Sequence, residues 1–517
     1  MRFPRASGIL LHPTSLPGRY GIGDLGAGAY RFVDYLVAAE QSLWQILPLG
    51  PTIIYDSPYQ TLSAFAGNPN LISLDKLVGN GWLEERDLAD VPNFSEHSVQ
   101  YGEVIPYHER KLDLAFARFK ERADLSTKHA FEEWCARNGA WLYDFALFAA
   151  LKAQHGGVEW TKWSREVAQP SPARRVLLRE QHRDQVESHM FRQWLFYTQW
   201  AELKAYANSK GVELIGDLPI FVSHDSADVW ANPHLFQLDP DSGLPKVVAG
   251  VPPDFFNPED GQLWGNPHYN WQAMEEEGYT WWIGRLRTTL ETVDRVRIDH
   301  FRGFEAYWEI PGDAKTAKNG RWVKGPDAKL FEAFEQALGG LPIIAEDLGI
   351  ITPEVIALRD RFDLPGMKVL QFAFGNDPYS VNAFLPHMYV HNCVVYTGTH
   401  DNNTTVGWWR HEASEGMRRH LRDYIGHDVH EPNWDLIRLG MNSVADTFIV
   451  PMQDVLGLDQ SARMNKPGYT GGYWSWRLAE GWLYDASRER LAWHTRLSSR
   501  APSQRAAQGP SSPQLDA

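Results

Sequence analysis

Short apolar runs that stop on polar or charged residues recur along this chain, and many of the intervals between them carry helical spacing. Gly8-Ile9-Leu10-Leu11 ends at His12-Pro13, and Trp44-Gln45-Ile46-Leu47-Pro48 repeats the pattern after a helical segment at 28–40. The polar turn Asp56-Ser57-Pro58-Tyr59-Gln60 follows, with Tyr59 expected at its surface. Over residues 74–210 the strand pattern gives way to longer helical periods. Phe131, Trp134, Trp141, Leu142, Phe145, Phe148 and Leu151 recur at mostly three- and four-residue intervals, and a similar set runs from Val186 to Leu203. These aromatics read as helix core, Gly211 reads as a C-terminal cap, and residues 166–180, with prolines and scattered charges, read as an exposed connection.

Strand and helix alternation returns at 212–222, a run crossed by Asp217, and continues through later runs that also close on polar residues. Eight runs start near residues 8, 44, 212, 295, 341, 367, 392 and 447, the pattern of a (β/α)8 TIM barrel. The expected organisation is the start of the barrel at 1–73, a large helical insertion between strands 2 and 3 at 74–210, and the rest of the barrel at 211–496. Further loops are inserted, and residues 497–517 form a disordered tail. One inserted loop, 247–267, is rich in Gly, Pro and aromatics with little periodicity, and reads as a functional lid.

Charge narrows the partners. Fifty basic against 65 acidic residues give a net charge of -15, with no basic cluster to track nucleic acid. No apolar stretch is long enough to span a bilayer. Two distant cysteines, Cys135 and Cys393, suggest neither a disulfide framework nor a zinc site and fit a reducing, cytoplasmic setting. The 22 Trp and 20 Tyr are heavy use of flat amphipathic rings, which suits stacking on sugars.

The chemistry concentrates at run ends. Asp217, Asp299, Glu346, His400 and Asp401 all fall toward the C-terminal ends of their strands, the catalytic face of a barrel. Four carboxylates and a histidine around one cup suit either acid/base and nucleophilic chemistry or a divalent metal. Arg297, two residues before Asp299 on the same strand face, would compete with a cation, and paired histidines are missing, so the first reading is favoured. Paired carboxylates acting on an acetal are the pattern of glycoside cleavage. Asp299, held ionised by Arg297, would attack the anomeric carbon; Glu346 would protonate the leaving oxygen and later deprotonate the acceptor; Asp401 would orient hydroxyls and stabilise the transition state.

Longer motifs make a family resemblance. His12-Pro13-Thr14-Ser15-Leu16-Pro17-Gly18, Asp56-Ser57-Pro58-Tyr59-Gln60, Gly216-Asp217-Leu218-Pro219-Ile220-Phe221-Val222 and Val251-Pro252-Pro253-Asp254 with Trp264-Gly265-Asn266-Pro267 are four of them. Arg295-Val296-Arg297-Ile298-Asp299-His300-Phe301-Arg302-Gly303-Phe304, Ala345-Glu346-Asp347-Leu348-Gly349, Thr399-His400-Asp401-Asn402 and Arg463-Met464-Asn465 complete the set. Together they resemble glycoside hydrolase family 77, the 4-alpha-glucanotransferases (amylomaltases, or disproportionating enzymes) of the alpha-amylase clan, from about Phe3 to about Leu483. The resemblance implies Asp299 as nucleophile, Glu346 as acid/base and Asp401 as transition-state stabiliser. It places Tyr59, Asp217, Arg297 and His400 around the donor sugar, Trp264 and Phe372 on the acceptor side, and Asn465 among the substrate contacts.

It further implies retaining transfer of alpha-1,4-glucan segments from maltooligosaccharides, starch or glycogen-derived chains to glucose or another glucan. No cofactor and no metal are expected, and the enzyme is expected as a monomer or weak homo-oligomer. A same-clan hydrolase and a non-catalytic glucan-binding barrel are the alternatives. A retaining intermediate can be resolved by water or by a sugar hydroxyl, so transfer needs a lid that excludes water.

Overall fold

The computed structural model describes residues 3–53, 56–254, 257–375, 377–378, 380–469, 471–483 and 485–503. Its strands are β1 (Ala6–Leu10), β2 (Leu43–Gln45), β3 (Glu213–Pro219), β4 (Val247–Val251), β5 (Gln262–Pro267), β6 (Arg295–Asp299), β7 (Ala306–Pro311), β8 (Arg321–Lys324), β9 (Ile343–Ala345), β10 (Gly366–Val369), β11 (Cys393–Tyr396) and β12 (Thr447–Pro451). Eight of them pair in parallel in the order β10-β11-β12-β1-β2-β3-β6-β9. Across the seam between the two end strands, Ala345 donates its N–H to the Pro365 carbonyl at 2.9 Å, so the sheet is a nearly closed barrel. β1 and β12 are buried along their whole length, as strands covered on both faces must be.

Between β2 and β3 run the helices Leu74–Gly79, Tyr101–Arg122, Leu125–Arg137, Gly139–Gln154, Arg165–Ala168, Pro172–Gln181 and Arg183–Ser209. They pack mainly into the barrel's own clusters, with a small separate one where Tyr101 and Val104 meet Ile22 and Val99. Tyr107, Leu112, Phe119, Phe191 and Leu195 belong to the same buried cluster as Trp44, Ile215 and Val395. Phe145 and Phe148 join a second cluster with Leu218, Ile298 and Ala345. Residues 166–180, expected as a connection, contain two short helices instead. Pro172 opens the second, and the Ser171 hydroxyl accepts the Arg174 N–H, a cap that the proline-rich composition conceals.

A second sheet was not anticipated. β5, β4, β7 and β8 form a four-stranded antiparallel sheet, in that order, from segments that follow β3 and β6. Thus 247–267, read as an aperiodic loop, contains two antiparallel strands whose register shifts between Val248 and Gly250; Phe255 and Phe256 lie outside the described residues. The end of the chain also differs from expectation. Helix Asp485–Leu497 leads to a fully buried Arg500, whose guanidinium donates to the carbonyls of Met441, Ala6, Asp446 and Ala445, so residues 498–501 are packed rather than tail. Residues 504–517 lie outside the described residues.

Candidate active site

Sheet register assembles the carboxylates. β3 and β6 pair with Asp217 directly opposite Arg297, and β6 and β9 pair with Ile298 opposite Ala345. One step further along that register lie Asp299 and Glu346, and Glu346 donates its N–H to the Ile298 carbonyl at 3.1 Å. Arg297 and Asp299 share a strand face because they are two residues apart. The Arg297 fork uses this placement: Nη1 donates to Asp217 Oδ2 at 2.5 Å and Nη2 to Asp299 Oδ1 at 2.8 Å. Burial works against its charge, but the two carboxylates hold its pKa above the ordinary arginine value.

The same pairing does not make Asp299 an unusually strong acid. Burial lifts its carboxyl above the ordinary aspartate value; Arg297 opposes that lift, while Asp217 and Asp401 add to it. Glu346 is lifted further, by burial first and the Asp299 charge second. Only Arg297 at a distance and two backbone donors oppose this, Leu348 N–H to Oε1 at 2.8 Å and His300 N–H to Oε2 at 2.6 Å. Two carboxyls on neighbouring strand ends are therefore held at different protonation tendencies by different partners.

Tyr59, expected at an exposed turn, is half-buried instead, and its hydroxyl donates to Asp217 Oδ2 at 2.9 Å. Burial and Asp217 push that phenol well above its ordinary pKa. Its ring stacks on His400, with centroids 5.1 Å apart and planes at 17°. The loop after β11 then presents Asp401, whose Oδ1 accepts from Asn465 Nδ2 at 2.6 Å and lies 3.5 Å from His400 Nε2. Arg463 Nη2 donates to the Asp401 carbonyl at 2.7 Å, and Asn465 N–H to the His400 carbonyl at 3.0 Å, so the loop after β12 fixes the loop after β11. Asp454 holds both ends of that loop, accepting from the Thr397 and Thr405 hydroxyls at 2.6 and 2.7 Å.

Seven of the ten residues singled out in the sequence thus form one hydrogen-bonded and stacked constellation, and Glu346 joins it through the charge of Asp299. Trp264 and Phe372 stand apart from it. Trp264, on β5, meets the edge of His300 at 5.0 Å and 89°. Phe372, in the turn after β10, packs edge-on against Phe384 at 5.6 Å. The sequence reading missed Trp474, which has a φ of 66° and lies 5.7 Å from Tyr59 and 5.8 Å from His400. A signal was available: Gly471-Gly472 just before it marks a chain reversal that can bring a bulky ring inward. Among the described residues no group of three or more His, Cys, Asp or Glu is placed to hold a metal ion.

Comparison with known proteins bears on the family and the fold. The glycoside hydrolase 77 family profile, described as 4-alpha-glucanotransferase, matches residues 11–483. The 4-alpha-glucanotransferase of Synechocystis is 50% identical over 96% of this chain and 98% of its own, and that of Thermus thermophilus is 51% identical over 95% and 98%. A solved amylomaltase from Streptococcus agalactiae, in complex with acarbose, superposes with a TM-score of 0.92 at 38% identity, covering 96% of this chain and 100% of its own.

Proposed function

The chain belongs to glycoside hydrolase family 77, the 4-alpha-glucanotransferases, and on that premise we propose that it cuts an alpha-1,4-glucan and passes the cut segment to the 4-hydroxyl of another sugar, with Asp299 as nucleophile and Glu346 as acid/base. The observation that carries the assignment is the unequal holding of two adjacent carboxyls. Asp299 has a guanidinium at 2.8 Å to favour its ionised form, whereas Glu346 has only backbone donors and a negative neighbour. Attack by Asp299 on the anomeric carbon, with proton delivery from Glu346 to the departing oxygen, leaves a covalent glycosyl-enzyme of inverted configuration. Glu346, now a carboxylate, takes the proton of an incoming hydroxyl, and the second inversion restores the alpha linkage.

Asp401, fixed by Asn465, is suited to accept from ring hydroxyls of the donor sugar and to counter the positive charge that grows at its anomeric carbon. Tyr59, stacked on His400, offers a flat ring beside it. Trp264 and Phe372, outside the charged constellation, are suited to the acceptor side. Substrates are maltooligosaccharides and starch- or glycogen-derived glucans, with glucose as the smallest acceptor; the acarbose bound by the Streptococcus agalactiae relative supports this class of ligand. No helix among the described residues is long and apolar enough to cross a membrane. The two buried, free cysteines support a reducing, cytoplasmic setting, and a site built from one chain supports function as a monomer or weak homo-oligomer.

Incubation with maltotriose tests the activity. Glucose and a ladder of longer glucans should appear while total reducing ends stay constant. A steady rise in reducing ends would instead establish a hydrolase, and no change would establish a binding protein.

A further inference from the structure

His300 sits between the proposed nucleophile and the rest of its loop, and it carries two local costs. Its φ of 56° and ψ of 46° place a residue with a side chain in the left-handed region, and its Nε2 is buried without a hydrogen-bond partner. Such costs persist where surrounding structure over-determines the conformation, and they gather at functional sites. The reversal they produce has a visible result. It turns the His300 N–H onto Glu346 Oε2 at 2.6 Å, while Phe301 N–H takes the Glu346 main-chain carbonyl at 3.2 Å.

The ring is held as tightly as the backbone. On one side, a Cβ added to Gly303 would lie 3.1 Å from the His300 Cδ2 and 2.8 Å from Ile220 Cδ1, so a side chain there would press the ring a few tenths of an ångström out of place. On the other side is the edge-to-face contact with Trp264 of β5. Burial keeps the imidazole neutral, with its pKa lowered to about 3. Neither a charge nor a hydrogen bond within the protein explains the ring; its shape, wedged between Gly303 and Trp264, does.

We propose that His300 is a positioning residue that couples the second sheet to the acid/base: the seating of Trp264 on the imidazole fixes the left-handed turn, and the turn aims an N–H at Glu346 Oε2. The inference rests on Glu346 being the acid/base. Its consequence is specific to proton transfer. The step that needs the acid should suffer when the wedge is removed, and the attack of Asp299 should not.

Two substrates separate these steps. Maltotriose needs protonation of a sugar leaving group; alpha-maltosyl fluoride does not, since Asp299 forms the C1–O bond as C1–F breaks and fluoride departs with the electron pair. In a His300→Gly variant, kcat on maltotriose should fall roughly ten- to hundredfold with KM little changed, while the burst of fluoride release stays within about threefold of the parent. Combined with Trp264→Ala, the loss on maltotriose should be smaller than the product of the two single losses, because both remove one contact. Equal loss on both substrates, unchanged maltotriose turnover or strict additivity would overturn the proposal. Should the glycine variant fail to fold, His300→Asn, tolerated at positive φ, carries the same comparison. Glu346→Gln separates the premise: full maltotriose turnover there refutes the acid/base assignment itself, whereas slow turnover with a normal fluoride burst leaves only the role of His300 under test.

Discussion

The two sheets of this molecule meet the substrate-facing side in different ways. The barrel sheet supplies charge, each group held by a neighbour in register: Asp217 opposite Arg297, Asp299 two residues along, Glu346 one step beyond the β6–β9 pairing. The four-stranded sheet supplies Trp264, half-buried on a strand that alternates between partly covered and exposed from Gln262 to Gly265 and is buried at Asn266 and Pro267. β6 is buried from Arg295 to Ile298, whereas β8 is largely exposed. A parallel strand inside a barrel cannot move without breaking ladders on both sides, so it suits groups whose distances decide a reaction. A short antiparallel sheet at the rim tolerates movement, and it suits a surface that decides who may react.

The largest effect should come from breaking the barrel side at Arg297. Its side chain is almost fully buried and serves two carboxylates. Arg297→Met keeps the apolar bulk and leaves both carboxylates without their cation, an arrangement that costs about 3–5 kcal/mol when one partner of a buried pair is removed. Part should appear as a lower melting temperature and part as a loss of kcat/KM on maltotriose of about ten- to hundredfold, since each 1.36 kcal/mol is a factor of ten. Because burial would then act on Asp299 with its main opponent gone, the pH below which activity fails should also rise. A variant with the parent's turnover would remove the basis for treating the barrel sheet as the seat of the chemistry.

A pH profile of the unaltered enzyme sharpens the same point with a moderate effect. In the roles proposed for them, Asp299, pushed up to about 6 by burial, has to be ionised to attack, and Glu346, pushed up to about 8, has to hold its proton to assist departure. Turnover on maltotriose should therefore climb as pH rises through about 6 and decline as it passes about 8. With alpha-maltosyl fluoride, where departure needs no proton, the fluoride burst should keep the acidic limb and lose the alkaline one. An alkaline limb that survives the change of substrate would assign it to a group other than Glu346.

The two sheets also differ in how far the sequence reveals them. The barrel was legible because strands buried on both faces must be continuous apolar runs, and because a catalytic residue at a strand end interrupts such a run with a charge. Arg297-Ile298-Asp299 and Ala345-Glu346 are visible for that reason, and the chain's membership in the 4-alpha-glucanotransferase family agrees with the motifs they anchor. Arg321-Trp322-Val323-Lys324 offers no such run, since both faces of β8 reach solvent, and glycine and proline in β4 and β5 mask their strand character. Arg500 was hidden differently: a buried guanidinium satisfied by main-chain carbonyls depends on where the chain ends meet, and local composition carries no trace of it. Tyr59 was found as a ligand candidate and misjudged as exposed, because its burial comes from Asp217 and His400, far away in sequence.

The smallest effect is that of Trp264→Ala, which tests the rim together with the contact it makes on His300. The ring takes no part in the Arg297 network, so loss of it should leave the attack of Asp299 nearly intact and lower total turnover only modestly. What it should change is the fate of the glycosyl-enzyme. On the proposed acceptor-side placement, the indole would exclude water from the face where the second nucleophile enters, and a sugar hydroxyl would compete with water only while that exclusion lasts. With about 0.5–1.5 kcal/mol of aromatic contact removed, the ratio of hydrolysis to transfer should rise by roughly two- to thirteenfold. Total reducing ends measured against glucose release from maltotriose read that ratio directly. If it stays constant while turnover falls as steeply as in Arg297→Met, then Trp264 serves the chemistry, and the division of labour between the two sheets is wrong.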